Sequence, residues 1–429
     1  MKLMYVIPGL GSGGGAERSL AAMVPFWTDR MDVHIVTFSD RDALADELTR
    51  AGARVTNLGP RGRVALAREL ASLGRRTRPD LIHTTLFDAD LAGRLAAVRN
   101  RIPVSSSLVG INYGPEHRHA PGGNALRLRA AQFADAASSQ VVARFHALTS
   151  HVAKVMGRRL LVRPSRIDVI PRGRDGSLLD VRTPTRRAAV RRSLGITSEP
   201  LILSAARHEW PKGLDVLLRA APQVLRHFPD AQFVVGGRDG SQTSLLHALV
   251  DQLGLTEHVR FLGPRNDVPD LMAAADAFCV PSRWEGFGSI LVEAMAAGVP
   301  TVATDIPSLR EVAGPDPWMR LASVNDPVAL ARALVACLLD RNGSERLVDL
   351  GQARFRTCYR AEHVAGRMLD FFARASRAKQ LPSRDAVRAE PEVNSFHGGP
   401  TRGFHRPPRP LKDPPGPTGG PPVIERTEQ

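Results

Sequence analysis

Short apolar runs of strand length recur along most of the chain and alternate with stretches of helical character. In the first half these runs are Lys2–Ile7, Val33–Thr37, Arg54–Leu58, Leu81–Thr84, Val104–Leu108, His146–Thr149 and Ile167–Ile170. In the second half they are Leu201–Ser204, Gln232–Val235, Ala277–Pro281 and Val299–Thr304. Regular alternation of strands and helices predicts the α/β class, with doubly wound parallel sheets.

The length of the chain suits two α/β domains and a tail. It has 429 residues, of which 43% are hydrophobic, enough for two buried cores. We expect a first domain over residues 1–175 and a second over 198–358, joined by a polar, arginine-rich connection. A helical stretch follows over 359–376. Residues 377–429 are rich in Pro, Gly and Arg without apolar periodicity, which predicts a disordered tail.

The stretch Asp276–Asp305 carries the most informative pattern, which reads as strand, loop, helix and strand. Ser289 suits the N-cap of its helix and Gly298 the C-cap. Glu285 and Glu293 are eight residues apart, which on one continuous helix would separate them by about 80°. The spacing fits better with Glu285 in the glycine loop and Glu293 on the second helical turn. Both would then face a ligand at the helix N-terminus, where a phosphate is favoured.

Two cations form a second candidate site. Arg207 follows the predicted strand Leu201–Ser204, and Lys212 lies just before a helix that begins at Leu214. Two positive side chains and a helix N-terminus can neutralise a leaving diphosphate, a task that a divalent metal performs in other enzymes. This arrangement is suited to a ligand that carries phosphate groups.

A glycine-rich loop follows the first predicted strand. Residues Pro8–Gly15 lead into a helix over Ala16–Trp27, and such a turn exposes backbone N–H groups to anions. The segment Gly11–Ala16 satisfies the pattern G-x-G-x-x-A, and Asp40 follows the second strand. A dinucleotide site is therefore an alternative for this loop.

Charge and cysteine content narrow the class of protein. The net charge is +15, and +11 of it falls in residues 1–175, which suits an anionic lipid surface, a phosphorylated acceptor or nucleic acid. Aromatic residues make up only 5%, which weakens the nucleic-acid interpretation. The three cysteines lack metal-ligand spacing, and the first residues read as a core strand and not as a signal peptide. We therefore expect a reduced, cytoplasmic protein. The pattern Asp88-x-Asp90 opens a predicted helix, where acids complement the dipole, and we do not expect it to bind metal.

The central stretch resembles the signature of the retaining GT-B glycosyltransferases of family 4, in which an E-x7-E pair embraces the nucleotide-sugar. Here the pattern is Glu285-Gly-Phe-Gly288 followed by Glu293. Four other segments resemble motifs of that family. They are Gly14–Glu17 (GG-x-E), Pro171–Arg174 (I-P-N-G, with Arg172 in place of Asn), Ala206–Gly213 (G-R-x4-K-G, with Ala206 in place of Gly) and Phe261–Asp276 (the segment that lines the nucleobase).

The resemblance implies a GT-B architecture, in which two Rossmann-like domains face each other across a cleft and the disordered tail follows. The first domain would bind the acceptor and the second the nucleotide-sugar, while the helix at 359–376 would return to the first domain. The implied reaction moves a sugar from a UDP- or GDP-linked donor to a hydroxyl of a glycan or lipid-linked acceptor. The family is thought to need no metal and no cofactor, and to retain the anomeric configuration.

The resemblance also implies the site residues. Arg207 and Lys212 would hold the diphosphate. Glu285 would bind the sugar and Glu293 the ribose hydroxyls. His83 ends a predicted strand, in a region where family members often carry a histidine that faces the reacting sugar. The other donor-binding candidates are Gly14, Gly15, Gly237, Gly263, Gly286, Phe287, Gly288, Ser289 and Ile290.

Three alternatives stay open at this point. A GT-B nucleotide-sugar epimerase or hydrolase would use the same donor site with water and no acceptor. An NAD-linked oxidoreductase would use the first glycine loop. A non-enzymatic basic protein would bind a membrane or nucleic acid, with an affinity that falls steeply with salt. For the transferase, the basic first domain suggests peripheral contact with the inner face of the plasma membrane.

Overall fold

The structure is a computed structural model that describes residues 1–11, 14–114 and 124–378. It contains two parallel β-sheets, of seven and six strands, within one compact unit. The predicted tail, residues 377–429, lies outside the described residues from residue 379 onward.

The first sheet comes from the first half of the chain. Its strands are β1 (Lys2–Val6), β2 (Asp32–Thr37), β3 (Arg54–Asn57), β4 (Leu81–Thr85), β5 (Val104–Leu108), β6 (Arg144–Ala147) and β7 (Ile167–Val169). Its helices are α1 (Gly15–Thr28), α2 (Ala45–Arg50), α3 (Arg63–Thr77), α4 (Phe87–Asn100), α5 (Ala125–Ser139) and α6 (Ser150–Arg159). The strand order is β3-β2-β1-β4-β5-β6-β7, and Leu3 of β1 lies between Val33 and Leu81. The order therefore reverses between β1 and β4.

The second sheet comes from the second half. Its strands are β8 (Leu201–Ala205), β9 (Gln232–Gly236), β10 (Val259–Gly263), β11 (Ala277–Val280), β12 (Thr301–Thr304) and β13 (Arg320–Ala322). The helices are α7 (Pro184–Ser193), α8 (Leu214–Leu225), α9 (Thr243–Gln252), α10 (Val268–Ala274), α11 (Ser289–Ala297), α12 (Pro307–Ala313), α13 (Pro327–Leu339), α14 (Arg341–Cys358) and α15 (Ala361–Arg377). The order is β10-β9-β8-β11-β12-β13, with Phe278 of β11 between Leu203 and Thr301. It reverses between β8 and β11.

Both sheets are covered by helices on their two faces. Four hydrophobic clusters result, two for each sheet. Strands buried on both faces need nearly continuous apolar sequence, which is why the apolar runs predicted them. Among the described residues, no helix is both long and apolar enough to cross a membrane.

The last described helix, α15, packs on the first sheet beside α1. Phe371 and Phe372 are fully buried there, and the ring of Phe372 meets that of Trp27 edge to face at 5.3 Å. The indole N–H of Trp27 donates to the carbonyl oxygen of Ala365 at 3.3 Å. The chain after the second sheet thus supplies part of the core of the first.

Several predicted boundaries need correction. The N-cap of α11 is Gly288 and not Ser289, because Gly288 adopts a left-handed conformation with φ 74° and Ser289 is already helical. Helix α6 is capped by Thr149, whose side chain accepts from the backbone N–H of Val152. The polar connection also contains helix α7, which composition alone did not predict.

Candidate active site

Two loops of the second half meet where the strand order of its sheet reverses. Strands β8 and β11 are neighbours, and their carboxyl ends lead into the loops 206–213 and 281–288. Helices α8 and α11 begin directly after these loops. In open α/β sheets this is the position at which ligands bind.

The two loops bring together the predicted cation and the predicted carboxylate. The Nζ atom of Lys212 lies 2.5 Å from Oε1 of Glu285, and Ser282 Oγ donates to the same oxygen at 3.0 Å. Both charged side chains are largely buried, with 22% and 13% of their surfaces exposed. Arg207 is exposed, and no side-chain partner is found for it among the described residues. The site therefore combines one paired and one exposed cation.

Arg283 fastens the two loops to each other. Its guanidinium group makes two hydrogen bonds to Asp215, at 2.8 and 2.7 Å, and lies over the ring of Trp210 at 4.8 Å. The guanidinium group also donates to the carbonyl oxygen of Trp210 at 2.8 Å. The backbone N–H of Arg283 donates to the carbonyl oxygen of Pro211 at 2.8 Å. Since Lys212 and Glu285 flank these contacts, Arg283 fixes their separation. The sequence reasoning missed this residue, although an arginine beside the E-x7-E motif was a usable signal.

Glu293 has a different environment from Glu285. Its Oε1 accepts a hydrogen bond from Nε of Arg174 at 2.8 Å, and only 14% of its side chain is exposed. Arg174 belongs to the segment Pro171–Arg174 that resembles the I-P-N-G motif, but the contact of its side chain with Glu293 was not predicted. The two carboxylates of the E-x7-E pair thus hold one cation each, Lys212 and Arg174.

The start of α11 meets the opening glycine loop of the first half. Arg172 donates from Nη1 to Ser289 Oγ at 3.2 Å, and a Cβ atom on Gly15 would lie 3.0 Å from each of these two atoms. Burial and then the neighbouring charge of Arg174 lower the pKa of Arg172 to about 10. The departure from the family motif at position 172 therefore places a cation between the two halves.

For most of the remaining glycines predicted to bind the donor, neighbouring atoms of the chain leave no room for a side chain. A Cβ on Gly14 would meet the Glu17 carboxylate at 1.9 Å, and one on Gly286 would meet the carbonyl oxygen of Val109 at 2.3 Å. Gly237, with φ 151°, has the carbonyl oxygen of Ala206 only 1.8 Å from the position of a Cβ. Gly263 has a positive φ of 65° and open space around it.

Two predicted site residues lie near α11 without facing an open site. Phe287 is 3% exposed and packs in the core, with its ring 6.0 Å from that of Tyr359. Ile290 packs partly buried against the same core. The side chain of Phe287 therefore belongs to the core. Donor binding at Phe287 and at the backbone N–H groups 288–290, which open the helix, stays a prediction.

His83 does not reach the carboxyl edge of its sheet. Strand β4 continues to Thr85, so that His83 lies in mid-strand, fully buried. Its two ring nitrogens bond to Ser105 Oγ at 2.8 Å and Ser107 Oγ at 2.9 Å. Burial lowers its pKa well below the usual value. The prediction that this histidine ends its strand is wrong, because His83 lies within the strand and in the core.

The Asp-x-Asp pattern is part of two structural ion pairs. Asp88 pairs with Arg63 on the surface at 2.7 Å. Asp90 is buried beside Arg94 and accepts from Thr84, and its burial raises its pKa to about 6. Within the described ranges, no group of three or more His, Cys, Asp or Glu side chains is placed to hold a metal ion.

Comparison with known proteins identifies the family. The family model described as glycosyl transferases group 1 matches residues 186–354, and that described as glycosyltransferase family 4 matches residues 13–177. A D-inositol 3-phosphate glycosyltransferase of Xylanimonas cellulosilytica is 34% identical over 321 residues, which are 71% of this chain and 74% of that protein. The chain belongs to the group 1, family 4 glycosyltransferases. This glycosyltransferase is also 40% identical to a phosphatidyl-myo-inositol mannosyltransferase of Mycobacterium leprae over 159 residues, 36% of the chain and 41% of that protein.

Solved structures give the fold of this glycosyltransferase. The Anabaena protein HepE, solved in complex with UDP-glucose, aligns with a TM-score of 0.77 at 22% identity. The alignment covers 87% of this chain and 99% of HepE. Together with the two sheets, this confirms the predicted GT-B fold class. The family assignment likewise confirms the prediction that the protein is a glycosyltransferase. It speaks against an NAD-linked oxidoreductase and against a non-enzymatic basic protein.

Proposed function

We propose that this glycosyltransferase moves a sugar from a nucleoside diphosphate sugar to a hydroxyl acceptor, with retained anomeric configuration and without a metal ion or cofactor. The observation that carries the proposal is the contact of 2.5 Å between Lys212 and Glu285, on neighbouring loops beside the first turn of α11. A cation, a carboxylate and a helix N-terminus suit a diphosphate and the hydroxyls of a sugar.

The roles follow from charge. Lys212 and Arg207 bind the diphosphate, and the first backbone N–H groups of α11 add to its stabilisation. Lys212 turns from Glu285 to the phosphate when the donor binds. Glu285 then accepts hydrogen bonds from sugar hydroxyls, and its negative charge stabilises an oxocarbenium-like state at the anomeric carbon. Glu293 binds the ribose hydroxyls.

The bond changes balance without a protein nucleophile. The bond between the anomeric carbon and the diphosphate oxygen breaks, and the acceptor oxygen forms a new bond to that carbon on the same face. The departing diphosphate takes the acceptor proton. The stabilisation of the leaving charge by Arg207 and Lys212 replaces the work of a divalent metal.

We further propose that the acceptor is lipid-linked or carries a phosphate. The names of two relatives contain an inositol 3-phosphate and a phosphatidyl-myo-inositol, which supports this proposal. In this chain, residues 1–175 hold +11 of the net +15 charge, and Arg172 adds a cation where the first half meets α11. A phosphorylated acceptor complements this charge.

We also propose that the enzyme works at the cytoplasmic face of an anionic membrane. Helix α5 exposes 78% of Leu126 and 76% of Phe133, and Arg129 is exposed between them. Positions seven apart lie on one helical face, so that two large apolar groups and an arginine point the same way. Co-sedimentation with phosphatidylglycerol vesicles tests this. Leu126→Ser with Phe133→Ser should abolish binding, whereas the control Leu245→Ser, at an exposed leucine on α9 with 49% of its surface accessible, should not.

The central proposal is tested by calorimetric binding of UDP, GDP, ADP and their common sugar forms, with EDTA present. One nucleotide should bind without metal, and Glu293→Ala should weaken it at least tenfold. Incubation of that donor with an inositol phosphate or lipid acceptor should then give a product of retained configuration by NMR. Absence of nucleotide binding, or inversion in the product, would refute the proposal.

A further inference from the structure

Arg174 lies where the chain crosses between the two halves of the molecule. Its backbone N–H donates to the carbonyl oxygen of Tyr359 at 2.9 Å, and its own carbonyl accepts from Ala361 N–H at 2.8 Å. A Cβ on the preceding Gly173 would lie 2.8 Å from the Cα of Ala361. The outgoing segment and the returning segment therefore pair tightly at Arg174.

The side chain of Arg174 points at the donor site. Nε donates to Glu293 Oε1 at 2.8 Å, and Nη1 donates to the carbonyl oxygen of Gly173 at 3.0 Å. Nη2, which shares the same guanidinium edge as Nε, is buried and has no hydrogen-bond partner among the described residues. Only 5% of the Arg174 side chain is exposed.

A buried donor without a partner is unfavourable, and most folded proteins avoid it. Next to a carboxylate that binds ribose, such a donor can form a hydrogen bond to a ribose oxygen. Each ribose hydroxyl donates one hydrogen bond and accepts others, so that a carboxylate and a guanidinium N–H satisfy it together. No separate residue is then needed to fix the orientation of the carboxylate.

We propose that Arg174 and Glu293 act as one ribose-binding unit. Glu293 accepts from the ribose hydroxyls, Arg174 Nε holds its carboxylate in place, and Arg174 Nη2 donates to a ribose oxygen. The inference rests on the proposed function, because it requires Glu293 to bind the ribose of the donor. Since the backbone of Arg174 joins both crossing segments, it also ties ribose recognition to the junction between the two halves.

The test compares ribose and deoxyribose. Calorimetry on the full chain measures the binding of whichever of UDP, GDP and ADP binds most tightly, and of its 2′-deoxy and 3′-deoxy forms. The wild type should prefer the ribose form by about three- to tenfold for each hydroxyl, which is the value of one hydrogen bond. Arg174→Lys keeps the positive charge and the fold but lacks the forked edge, so that this preference should fall to below twofold.

Arg182→Lys is the matched control. Arg182 lies on the same connection, and it donates to the carbonyl oxygen of Gly298 at the far end of α11 at 2.7 Å. Its replacement should disturb the connection without changing the ribose preference. Glu293→Gln should remove the preference, and adding Arg174→Lys to it should change little further, because the two residues act as one unit.

The possible outcomes separate the inference from the function on which it rests. If the wild type binds no nucleotide, the proposed function fails. If it binds ribose and deoxyribose forms equally, the ribose role of Glu293 fails and the inference with it. If Arg174→Lys keeps the wild-type preference, or weakens all forms by the same factor, Arg174 is only structural and the inference is overturned while the proposed function stands.

Discussion

The ammonium group of Lys212 provides the most direct test of the chemistry at the scale of single residues. It must leave the Glu285 carboxylate, 2.5 Å away, in order to bind a phosphate. Lys212→Ala should lower turnover by about 10²–10³, the usual effect of removing one preorganised donor. Steady-state kinetics with saturating donor measure this. Lys154→Ala, at an exposed position on α6, is the control, and a Lys212 variant within about threefold of wild type contradicts the assignment.

The buried histidines predict a pH-dependent stability. Ser107 Oγ bridges His83 and His146, at 2.9 and 3.0 Å, and burial lowers the pKa of His146 to about 4. The unfolded chain therefore binds more protons than the folded one between about pH 6.5 and 4. Neutral His146 therefore contributes fully to the free energy of unfolding above about pH 6.5. This contribution is lost as the pH falls, and roughly 2 kcal/mol of it is gone at pH 5.

Urea unfolding at pH 7.5 and pH 5 measures this effect. His146→Gln retains a donor for the carbonyl oxygen of Ile170, which His146 contacts at 2.8 Å, but it does not titrate. The variant should therefore lose less stability than the wild type between the two pH values. Equal losses in both proteins would show that His146 is not held neutral by the fold.

The positions of residues were predictable where a motif fixed them and were not predictable where they depended on the end of a strand. Lys212 and Glu285 meet because their motifs fix how many residues separate each of them from the end of the preceding strand. His83 was misplaced because β4 is buried on both faces, so that its sequence shows no alternation to mark the end of the strand. Strand β4 continues for two residues beyond His83, to Thr85, so that the ring of His83 lies inside the core.

Among the elements, the loops 206–213 and 281–288 depend on each other. Arg283→Met removes the two bonds to Asp215 and the bond to the carbonyl of Trp210, so that Lys212 and Glu285 are no longer held at a fixed separation. We expect a loss of about 10²-fold in kcat/KM, the cost of a misplacement of about 1 Å.

Kinetics together with thermal unfolding distinguish this effect from a general loss of fold. Arg310→Met is the matched control, because Arg310 also pairs with an aspartate, Asp305, but on the surface of the molecule. It should leave kcat/KM unchanged. If Arg283→Met behaves like this control, the loops are held by other contacts.

Helix α14 shows why one element escaped sequence reasoning. It contains Gly343 and Gly351, and glycine inside a helix costs about 1 kcal/mol relative to alanine. Gly351 is nevertheless needed, since a Cβ there would lie 2.9 Å from the ring of Trp318. Packing against a residue distant in sequence thus overrides a poor local propensity, whereas the start of α8 at Leu214 was predicted from the local sequence.

At the scale of the whole molecule, the two halves are joined by contacts that no sequence pattern indicates. Thr149 Oγ1 donates to the carbonyl oxygen of Gly286 at 3.1 Å. The carboxylate of Glu311 accepts from the backbone N–H groups of Ser150 and His151, at 2.7 and 3.2 Å. Glu311 and its two partners are about 160 residues apart, and Thr149 and Gly286 are 137 apart, so that these pairings follow only from the docked fold. The GT-B class was predictable from the alternation of strands and helices together with the motifs; the junction was not.

Glu311 caps a helix of the other half, and this makes it a test of the contact between the two halves. Its carboxylate accepts from two N–H groups in the first turn of α6 and favours the positive end of the helix dipole. Glu311→Ala should lower the free energy of unfolding by about 1 kcal/mol, as the loss of an N-cap does. Urea unfolding of the full chain measures this change.

Glu257→Ala, at an exposed position of the second half, is the control and should leave the free energy of unfolding unchanged. If Glu311→Ala matches that control, the contact is incidental, and the halves are held together by other contacts, such as the crossing segments at Arg174.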